Sequence, residues 1–303
     1  MVVYHSDDLV IKVPKEFSFK ENIRYMLRSS NECMFEIRAD KIVKAIPVEN
    51  EVSLVEISES TDGNLVIRFL GDNRPVSKKV RDDVQQYVRD WFDLDNDLKP
   101  FYEMAENDLL LQKAIDEFYG LRNIGIPDLF EALVWGILGQ QINLTYAYTL
   151  KRRLVETFGR SIEWEGRQYW IFPEAKDIAN LTIEDLSPIK MTVKKCEYLI
   201  GVAGLIVEGS LSKSLVMGTG DFNEAEKMLV KIRGIGPWTA NYVLMRCLRF
   251  PNAFPIADVG LHNAIKHVTG AEVKPTKEEI LKISAPWKGF ESYATFYLWR
   301  FLY

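Results

Sequence analysis

Hydrophobic and polar positions change their pattern about one third of the way along the chain. Before that point, short runs rich in β-branched and aromatic residues are separated by turn signals, which is typical of strands. These runs cover residues 33–48, 52–58 and 65–71. A turn is predicted at Ala39-Asp40, and Asp62-Gly63 between the last two runs is a hairpin signal. We therefore predict an antiparallel sheet.

Helical periodicity appears on both sides of these runs. Residues 77–92 place valines and aromatic residues at helical spacing, and residues 17–28 form a second amphipathic pattern. The first domain, residues 1–104, is therefore predicted to be an antiparallel sheet with helices on one side.

From about residue 100 onward, nearly every stretch follows helical spacing. Three helix starts carry a capping residue and a glutamate three positions later. These pairs are Asp128 with Glu131, Asp221 with Glu224, and Thr276 with Glu279. We expect no comparable run of strands in residues 105–303. The predicted fold class is therefore α+β, with a mostly helical second domain.

Length and composition fit an ordinary globular protein of about two domains. The chain has 303 residues, of which 47% are hydrophobic and 27% charged. Its three distant cysteines argue against a disulfide framework and exclude a self-contained four-cysteine iron–sulfur site. We recognise neither a signal peptide nor an apolar run of the roughly 20 residues that a membrane span needs, and expect a cytoplasmic protein.

The net charge of −5 argues against a uniformly basic nucleic-acid binder. Nucleic-acid binding would need a local patch or backbone amides, and one break in the helical pattern offers amides. A helix that begins near Asp221 is predicted to end at Ile232-Arg233. Gly234-Ile235-Gly236 follows, and Pro237 opens the next helix.

These glycines permit positive φ and leave bare N–H groups beside a helix N-terminus, a site that attracts phosphate. The alternative is that they only cap a helix–helix turn.

The whole string L-x-x-I-R-G-I-G-P-W-T-A-N-Y is more specific than the glycines alone. It resembles the helix–hairpin–helix motif of the DNA glycosylase superfamily that carries a Gly-Pro-Asp region. The resemblance implies that the hairpin, as Gly234, Ile235, Gly236 and Thr239, holds a DNA phosphate. Superfamily members often also hold a monovalent cation on the loop carbonyls.

The resemblance requires an aspartate roughly twenty residues beyond the hairpin, and Asp258 supplies it. By itself Asp258 is placed to cap a helix. In the superfamily context it is the predicted catalytic residue, because a nearby anion stabilises the oxocarbenium-like sugar as the C1′–N bond breaks. The same carboxylate could orient or deprotonate the attacking water.

Lytic members carry a lysine nucleophile at the first or second position after the last hairpin glycine. Those positions are Pro237 and Trp238 here, which implies a monofunctional glycosylase that uses water.

The closest resemblance is to the AlkA-type 3-methyladenine DNA glycosylase II family, over essentially the full length. It rests on the hairpin string, on "EFSFKENI" near the N-terminus, and on residues 130–143, 188–203 and 291–300. The resemblance implies a helix–hairpin–helix core in two subdomains. These are residues 129–250, which hold the hairpin, and residues 105–128 packed with 251–303.

In that family, cleft aromatics stack on a flipped, cationic alkylated base, and Trp238, Tyr242 and Trp299 match them. The alternative is that these residues belong to the core. A bulky residue of the family fills the gap left by the flipped base, and Gln141 or Ile142 would do so here. The best-known member has leucine in place of Gln141.

A further departure is Val259, where an aromatic residue can follow the catalytic aspartate. It implies a more open pocket or a different selection among damaged bases.

We predict no cofactor and no catalytic metal. His262 and His267 are five residues apart, which does not place them on one helix face, and no pair of cysteines lies nearby in the sequence. Lys190, Lys194 and Lys195 are interpreted as a solvated helix face, with a phosphate contact as the alternative.

The predicted function is a monofunctional DNA glycosylase that flips alkylated bases, of the 3-methyladenine and 7-methylguanine type, out of duplex DNA and excises them. We expect a monomer in a bacterial-type cytoplasm, associated with the nucleoid. Two alternatives stay open: a superfamily glycosylase for other base damage, and a non-catalytic protein that binds damaged DNA.

Overall fold

The N-terminal part of the molecule is built on one antiparallel sheet. The computed structural model describes residues 8–48, 51–71 and 77–302. The strands of this sheet are β1 (Leu9–Ile11), β2 (Glu36–Arg38), β3 (Lys41–Val48), β4 (Glu51–Glu59) and β5 (Leu65–Phe69). Their order is β1-β5-β4-β3-β2, with every neighbouring pair antiparallel. The three predicted runs are confirmed, and β1 is an additional edge strand too short to give a periodic signal.

One face of the sheet packs against helices. Ile42, Ile57 and Ile67 lie side by side on three strands and are fully buried. They share a hydrophobic core with α1 (Phe19–Met26) and α2 (Lys78–Trp91), the two helices predicted for this region.

The opposite face is covered by a hairpin that the sequence pattern does not reveal. Strands β6 (Arg160–Trp164) and β7 (Arg167–Ile171) lie in the half predicted to be helical. They are joined by Glu165-Gly166, both with positive φ, a two-residue turn whose sequence is a weaker signal than Asn-Gly or Asp-Gly. A separate small core holds Tyr169 and Ile171 of β7 together with Val43, Ala45 and Leu54 of the sheet.

The remainder is helical, as predicted. The helices are α3 (Lys99–Ala105), α4 (Leu109–Glu117), α5 (Leu129–Leu138), α6 (Leu144–Phe158), α7 (Ala175–Ala179), α8 (Val193–Val207), α9 (Lys213–Met217), α10 (Phe222–Val230), α11 (Pro237–Arg246), α12 (Val259–Thr269), α13 (Lys277–Ile283) and α14 (Glu291–Trp299), with short 3₁₀ turns at Ser187–Ile189, Ala285–Trp287 and Arg300–Leu302. The side chains of Asp128, Asp221 and Thr276 cap α5, α10 and α13.

Two buried helices bring the site together. Every residue of α5 is buried, and the helix packs on α11. A Cβ atom on Gly136 of α5 would lie 2.6 Å from Cγ2 of Thr239, so the first turn of α11 can approach only because Gly136 has no side chain.

The main core runs without a break from the sheet into the helices. Phe92, Phe101 and Leu133 all belong to it, on both sides of the domain boundary predicted at residues 104/105. That boundary and the two helical subdomains stay predictions. Among the described residues, no helix combines the length and the apolar character needed to cross a membrane.

Candidate active site

The hairpin between α10 and α11 is a tight turn in which the two glycines differ. Helix α10 ends at Val230, two residues earlier than predicted, and α11 begins at Pro237. Gly234 has φ +91°, the left-handed region that favours glycine. Gly236 is extended, with φ −86° and ψ 175°, and is the N-cap of α11.

The surroundings of the two glycines differ as well. A Cβ atom on Gly234 would lie 2.2 Å from Cγ of Tyr198, so the ring of Tyr198 fills the space behind the turn. A Cβ atom on Gly236 would meet nothing within 4 Å. The front of the turn is therefore open because Gly236 has no side chain.

The predicted phosphate-binding residues present backbone groups to this opening. The amides of Gly236, Trp238 and Thr239 stand at the start of α11, where helix geometry leaves N–H groups without an intrahelical partner. Ile235 is buried in the core, and its N–H donates to the carbonyl of Ile232 at 3.0 Å. The Thr239 side chain is also buried. A phosphate at this opening would contact main chain rather than the side chains of Ile235 or Thr239.

Gln140, which the sequence analysis did not assign, ties the loop after α5 to the hairpin. Its side-chain amide donates to the Gly234 carbonyl at 2.8 Å and to Oγ1 of Thr239 at 3.2 Å. The neighbouring Gln141 is exposed and has φ +57°. Ile142 is partly buried against the core. Of the two predicted wedge residues, Gln141 is therefore the one that stands free of the core.

Asp258 is the N-cap of α12 and accepts three N–H groups. Its Oδ1 accepts from the backbone of Leu261 at 2.8 Å and from the Trp299 indole at 2.8 Å. Its Oδ2 accepts from the Trp238 indole at 2.9 Å. Hydrogen bonds from N–H groups to a carboxylate are short and strong, so the carboxylate is held in one orientation.

The three predicted base-pocket aromatics form a stack beside this carboxylate. Tyr242 lies between the other two rings, 5.6 Å from Trp238 at an interplanar angle of 28° and 6.2 Å from Trp299 at 31°. Tyr242 and Trp299 are each only 6% exposed, whereas Trp238 is partly exposed. Trp238 is thus the ring that faces solvent, and the other two lie behind it.

Behind the stack lies a small cavity of about 50 Å³ between the sheet half and the helical half. Tyr242 and Trp135 line it together with a buried ion cluster, in which Lys151 pairs with Glu32 and Glu131. The Tyr242 hydroxyl accepts a hydrogen bond from Arg246 at 3.0 Å. Burial raises the pKa of this hydroxyl, so Tyr242 is neutral at physiological pH.

In front of the stack, a cleft of about 1450 Å³ joins these parts. Its walls are the loop 139–143, the hairpin with its flanks at 230–239, and the segment 252–259, which contains Asp258. Its charged lining residues are Lys231, Arg233 and Lys277 together with Glu226 and Asp258, and Arg233 is paired with Glu197. The exposed Val259 lies at the same cleft.

Two family models match adjoining parts of the chain. Residues 134–288 match the model described as HhH-GPD superfamily base excision DNA repair protein. The chain belongs to this superfamily. Residues 11–133 match a second model, the N-terminal domain of 8-oxoguanine DNA glycosylase.

Individual relatives of this HhH-GPD protein agree with the assignment. It is 57% identical over 298 residues to a DNA-3-methyladenine glycosylase of Bacillus subtilis, covering 98% of both chains. Its fold matches the solved 3-methyladenine DNA-glycosylase of Archaeoglobus fulgidus, with a TM-score of 0.78, 21% identity and 96% of both chains covered. It also matches a Clostridium acetobutylicum 8-oxoguanine glycosylase/lyase in complex with double-stranded DNA, with a TM-score of 0.76, 19% identity and coverage of 99% of this chain and 97% of that one.

These relationships confirm three predictions. The α+β fold class, the helix–hairpin–helix glycosylase family and the assignment as a DNA glycosylase of base excision repair are correct. The roles of the individual site residues stay predictions.

A polar residue of the HhH-GPD motif, Asn241, links the elements around the cleft. Its side-chain amide donates to Oε1 of Glu226 on α10 at 2.5 Å, and its Oδ1 accepts from the backbone of Phe254 at 2.8 Å. It thereby connects α10 and α11 to the segment before Asp258. This role cannot be predicted from the sequence, because an asparagine within a helix carries no signal of its distant partners.

The structure corrects the interpretation of one of the three lysines near α8. Lys195 is buried, and its ammonium group donates to the Leu138 carbonyl at the end of α5 at 2.7 Å. Lys195 is therefore neither part of a solvated face nor free for a phosphate. Lys190 and Lys194 are exposed.

Within residues 8–48, 51–71 and 77–302, no cluster of three His, Cys, Asp or Glu side chains is suited to a metal ion. His262 instead has Nε2 2.8 Å from the Ile256 carbonyl. At the hairpin, the carbonyls of Ile232 and Gly234 each accept one hydrogen bond and keep a second lone pair, so a monovalent cation there is compatible with the donors.

Proposed function

We propose that the protein is a monofunctional DNA-3-methyladenine glycosylase. It hydrolyses the N-glycosidic bond of an alkylated purine, of the 3-methyladenine or 7-methylguanine type, flipped out of duplex DNA. The observation that carries the proposal is the Asp258 carboxylate, fixed by three N–H donors at a cleft whose other wall is an open helix–hairpin–helix turn.

DNA is held at the hairpin. The amides of Gly236, Trp238 and Thr239 and the positive end of α11 bind one backbone phosphate, which needs no net positive charge on the protein. A monovalent cation on the carbonyls of Ile232 and Gly234 would add positive charge beside that phosphate.

Asp258 stabilises the reacting sugar. When the C1′–N bond breaks, its electron pair leaves with the base, which departs uncharged if it was an alkylated cation. The sugar becomes oxocarbenium-like, and the nearby anion lowers the energy of that state. Water then adds to C1′ and loses a proton towards the carboxylate or solvent, leaving an abasic site.

The base stacks on aromatic surface. Trp238 offers its partly exposed face to the cleft, and the electron-rich ring attracts a cationic base. Tyr242 and Trp299 support Trp238 from behind and complete the pocket once the base is inserted. Gln141, exposed at the tip of loop 139–143, fills the gap in the duplex, with Ile142 beside it.

Pro237 and Trp238 occupy the two positions at which lytic members carry their nucleophilic lysine, so we expect no Schiff base and no cleavage of the strand. The hairpin, Asp258 and the aromatic residues all belong to one chain, so the proposed site needs no second subunit and we expect a monomer acting on duplex DNA. Such an enzyme would work in a bacterial-type cytoplasm, at the nucleoid.

Base release tests the proposal directly. Pure protein is incubated with methylated duplex DNA, and free 3-methyladenine and 7-methylguanine are measured. We expect release by the wild type and a rate roughly 100-fold lower for Asp258→Asn. Asparagine is as good an N-cap as aspartate, so this substitution removes the charge and keeps the cap of α12.

Asp221→Asn is the matched control, because Asp221 also caps a helix through its side chain and does not line the cleft. It should release bases at the wild-type rate. Full activity of Asp258→Asn would refute the catalytic assignment. Tight binding without release would favour the non-catalytic damage binder. Release of only oxidised or deaminated bases would favour the other superfamily specificities.

The absence of strand cleavage is tested on the same products. We expect intact strands that break only after alkali or an added lyase, and no protein–DNA adduct after borohydride reduction. Spontaneous nicking with a trapped adduct would contradict the monofunctional assignment.

A further inference from the structure

We infer that Trp299 is a positioning residue that holds the Asp258 carboxylate in its working orientation. The inference deepens the proposed function and rests on it. The sequence suggested only an aromatic surface at this position. In the structure, the indole N–H of Trp299 donates to Oδ1 of Asp258 at 2.8 Å.

The bond from Trp299 comes from the protein interior. Trp299 is 6% exposed and is not part of the cleft wall, whereas Trp238, which donates to Oδ2, lines the cleft. An entering nucleotide meets Trp238 first. The interior bond is therefore the one that can persist while substrate binds.

Two donors on one oxygen fix the carboxylate. Oδ1 accepts from Trp299 and from the backbone of Leu261, which is itself part of α12. Rotation about the Cβ–Cγ bond would break both hydrogen bonds together. The direction of Oδ2, the oxygen on the cleft side, is thereby set.

Gly260 makes the Trp299 contact possible. A Cβ atom on Gly260 would lie 2.7 Å from Oδ1 of Asp258 and 3.2 Å from Nε1 of Trp299. Glycine is unfavourable inside a helix, and the backbone of Gly260 is not in the left-handed region, so its conformation does not require glycine. The missing side chain is instead explained by the space that the carboxylate and the indole occupy.

A related contact, in which the indole and the backbone amides bind different carboxylate oxygens, occurs elsewhere in this chain at residues that do not line the cleft. The Trp287 indole donates to Oδ2 of Asp108 at 2.8 Å, and Asp108 caps α4 through the amides of Leu110 and Leu111. Trp287 is fully buried. A tryptophan bound to a capping aspartate is thus available as an internal control for purely structural effects.

The test removes each indole N–H while keeping the aromatic surface. Trp299→naphthylalanine and Trp287→naphthylalanine are compared in single-turnover release of 7-methylguanine from methylated duplex, with thermal stability and DNA affinity measured in parallel. We expect Trp299→naphthylalanine to react roughly 10- to 100-fold more slowly at unchanged DNA affinity, because a small displacement of a catalytic group costs about that much. Trp287→naphthylalanine should release the base at the wild-type rate, although it should lose about as much thermal stability as Trp299→naphthylalanine does.

Gly260→Ala gives an independent variant, since it disturbs the same contact without changing any tryptophan. It should also slow release at unchanged DNA affinity. A readout that needs no turnover is the indole N–H resonance of each tryptophan by NMR. Asp258→Asn should shift the signals of Trp299 and Trp238 and leave that of Trp287 in place.

Wild-type rates for both Trp299→naphthylalanine and Gly260→Ala, or an unshifted Trp299 resonance, would overturn the positioning role while the glycosylase proposal stands. A wild-type protein that releases no alkylated base would instead overturn the proposed function itself.

Discussion

At the residue scale, Gly234 and Gly236 have different tasks although they look like a pair in the sequence. Gly234 is required by its positive φ and by the ring of Tyr198 behind it. Gly236 has an ordinary extended backbone and open space where a side chain would be. The first glycine shapes the turn, and the second leaves room in front of it.

This difference predicts that the two alanine variants lose different properties, stability for Gly234→Ala and DNA affinity for Gly236→Ala. Gly234→Ala should lower the free energy of unfolding by about 1–3 kcal/mol, because alanine is strained at positive φ and its Cβ clashes with Tyr198. Gly236→Ala should change stability by less than about 0.5 kcal/mol. It should weaken binding of an abasic-site duplex roughly tenfold, because its methyl group stands where the phosphate approaches.

Urea unfolding and fluorescence anisotropy measure the two effects. A strongly destabilised Gly236→Ala, or one with unchanged DNA affinity, would contradict this division of tasks.

At the element scale, the loop 139–143 takes its shape from partners outside it. Lys195 donates to the Leu138 carbonyl at the end of α5, and Gln140 donates to the hairpin. Burial lowers the pKa of the Lys195 ammonium group, but it still serves as a donor in either protonation state. Through these bonds the loop that carries Gln141 and the proposed phosphate-binding hairpin form one unit.

Gln140→Met should uncouple that unit. Methionine matches the length of glutamine but cannot donate to Gly234, so we expect a loss of about 1 kcal/mol in stability and faster amide exchange in residues 139–142. DNA affinity should fall because the wedge loop is no longer held against the hairpin. Gln86→Met is the control, since Gln86 lies exposed on α2 and bonds only Asp90 among the described residues. Unchanged exchange in the loop would show that the loop holds its shape without Gln140.

At the scale of the whole molecule, a buried ion cluster joins the sheet half to the helical half. Lys151 of α6 lies 3.4 Å from Glu32 and 3.1 Å from Glu131, measured between Nζ and Oε1. Glu32 precedes β2, and its carboxylate also accepts the amides of Cys33 and Met34. Burial acts to raise the pKa of the Glu32 carboxyl, but the charge of Lys151 and the Met34 amide outweigh it and lower that pKa below its ordinary value of 4.5.

The lowered pKa predicts a pH-dependent contribution to stability. A carboxyl group whose pKa is lower in the folded than in the unfolded protein stabilises the fold above its unfolded pKa, and this stabilisation is lost as the pH falls through the folded pKa. Glu32→Gln should therefore lower the free energy of unfolding by about 1–3 kcal/mol at pH 7, because Lys151 loses one of its two carboxylates and keeps Glu131. The difference from wild type should shrink as the pH falls below 4.5.

Urea unfolding between pH 7 and pH 3 follows this difference. Glu174→Gln serves as the control, because Glu174 forms ion pairs at the surface, which contribute about 1 kcal/mol at most. A Glu32→Gln effect that is small at pH 7, or that does not change with pH, would contradict the assignment.

Much of the fold follows from local sequence patterns, and the exceptions have local reasons. The strands of the first sheet, the capped helix starts and the turn at Gly234 are set by residues close together in the chain. The β6–β7 hairpin could not be predicted from the sequence, because its Glu-Gly turn is a weak signal. Its strands are fixed by burial against β3, more than a hundred residues earlier. Lys195 was misjudged for the same reason, because its partner Leu138 is distant in sequence.

The sequence by itself determined the hairpin and the spacing from the hairpin to Asp258, because each depends on residue types within a short stretch. It also determined the family, because the resemblance runs over essentially the full length. Only the tertiary structure decided that Trp238 and Trp299 both donate to Asp258, that Tyr242 lies between them, and that Gly260 leaves the space for this contact. These side chains come from α11, the start of α12 and the end of α14. Their distances depend on how those helices pack, and helix packing is a property of the whole core rather than of any one segment.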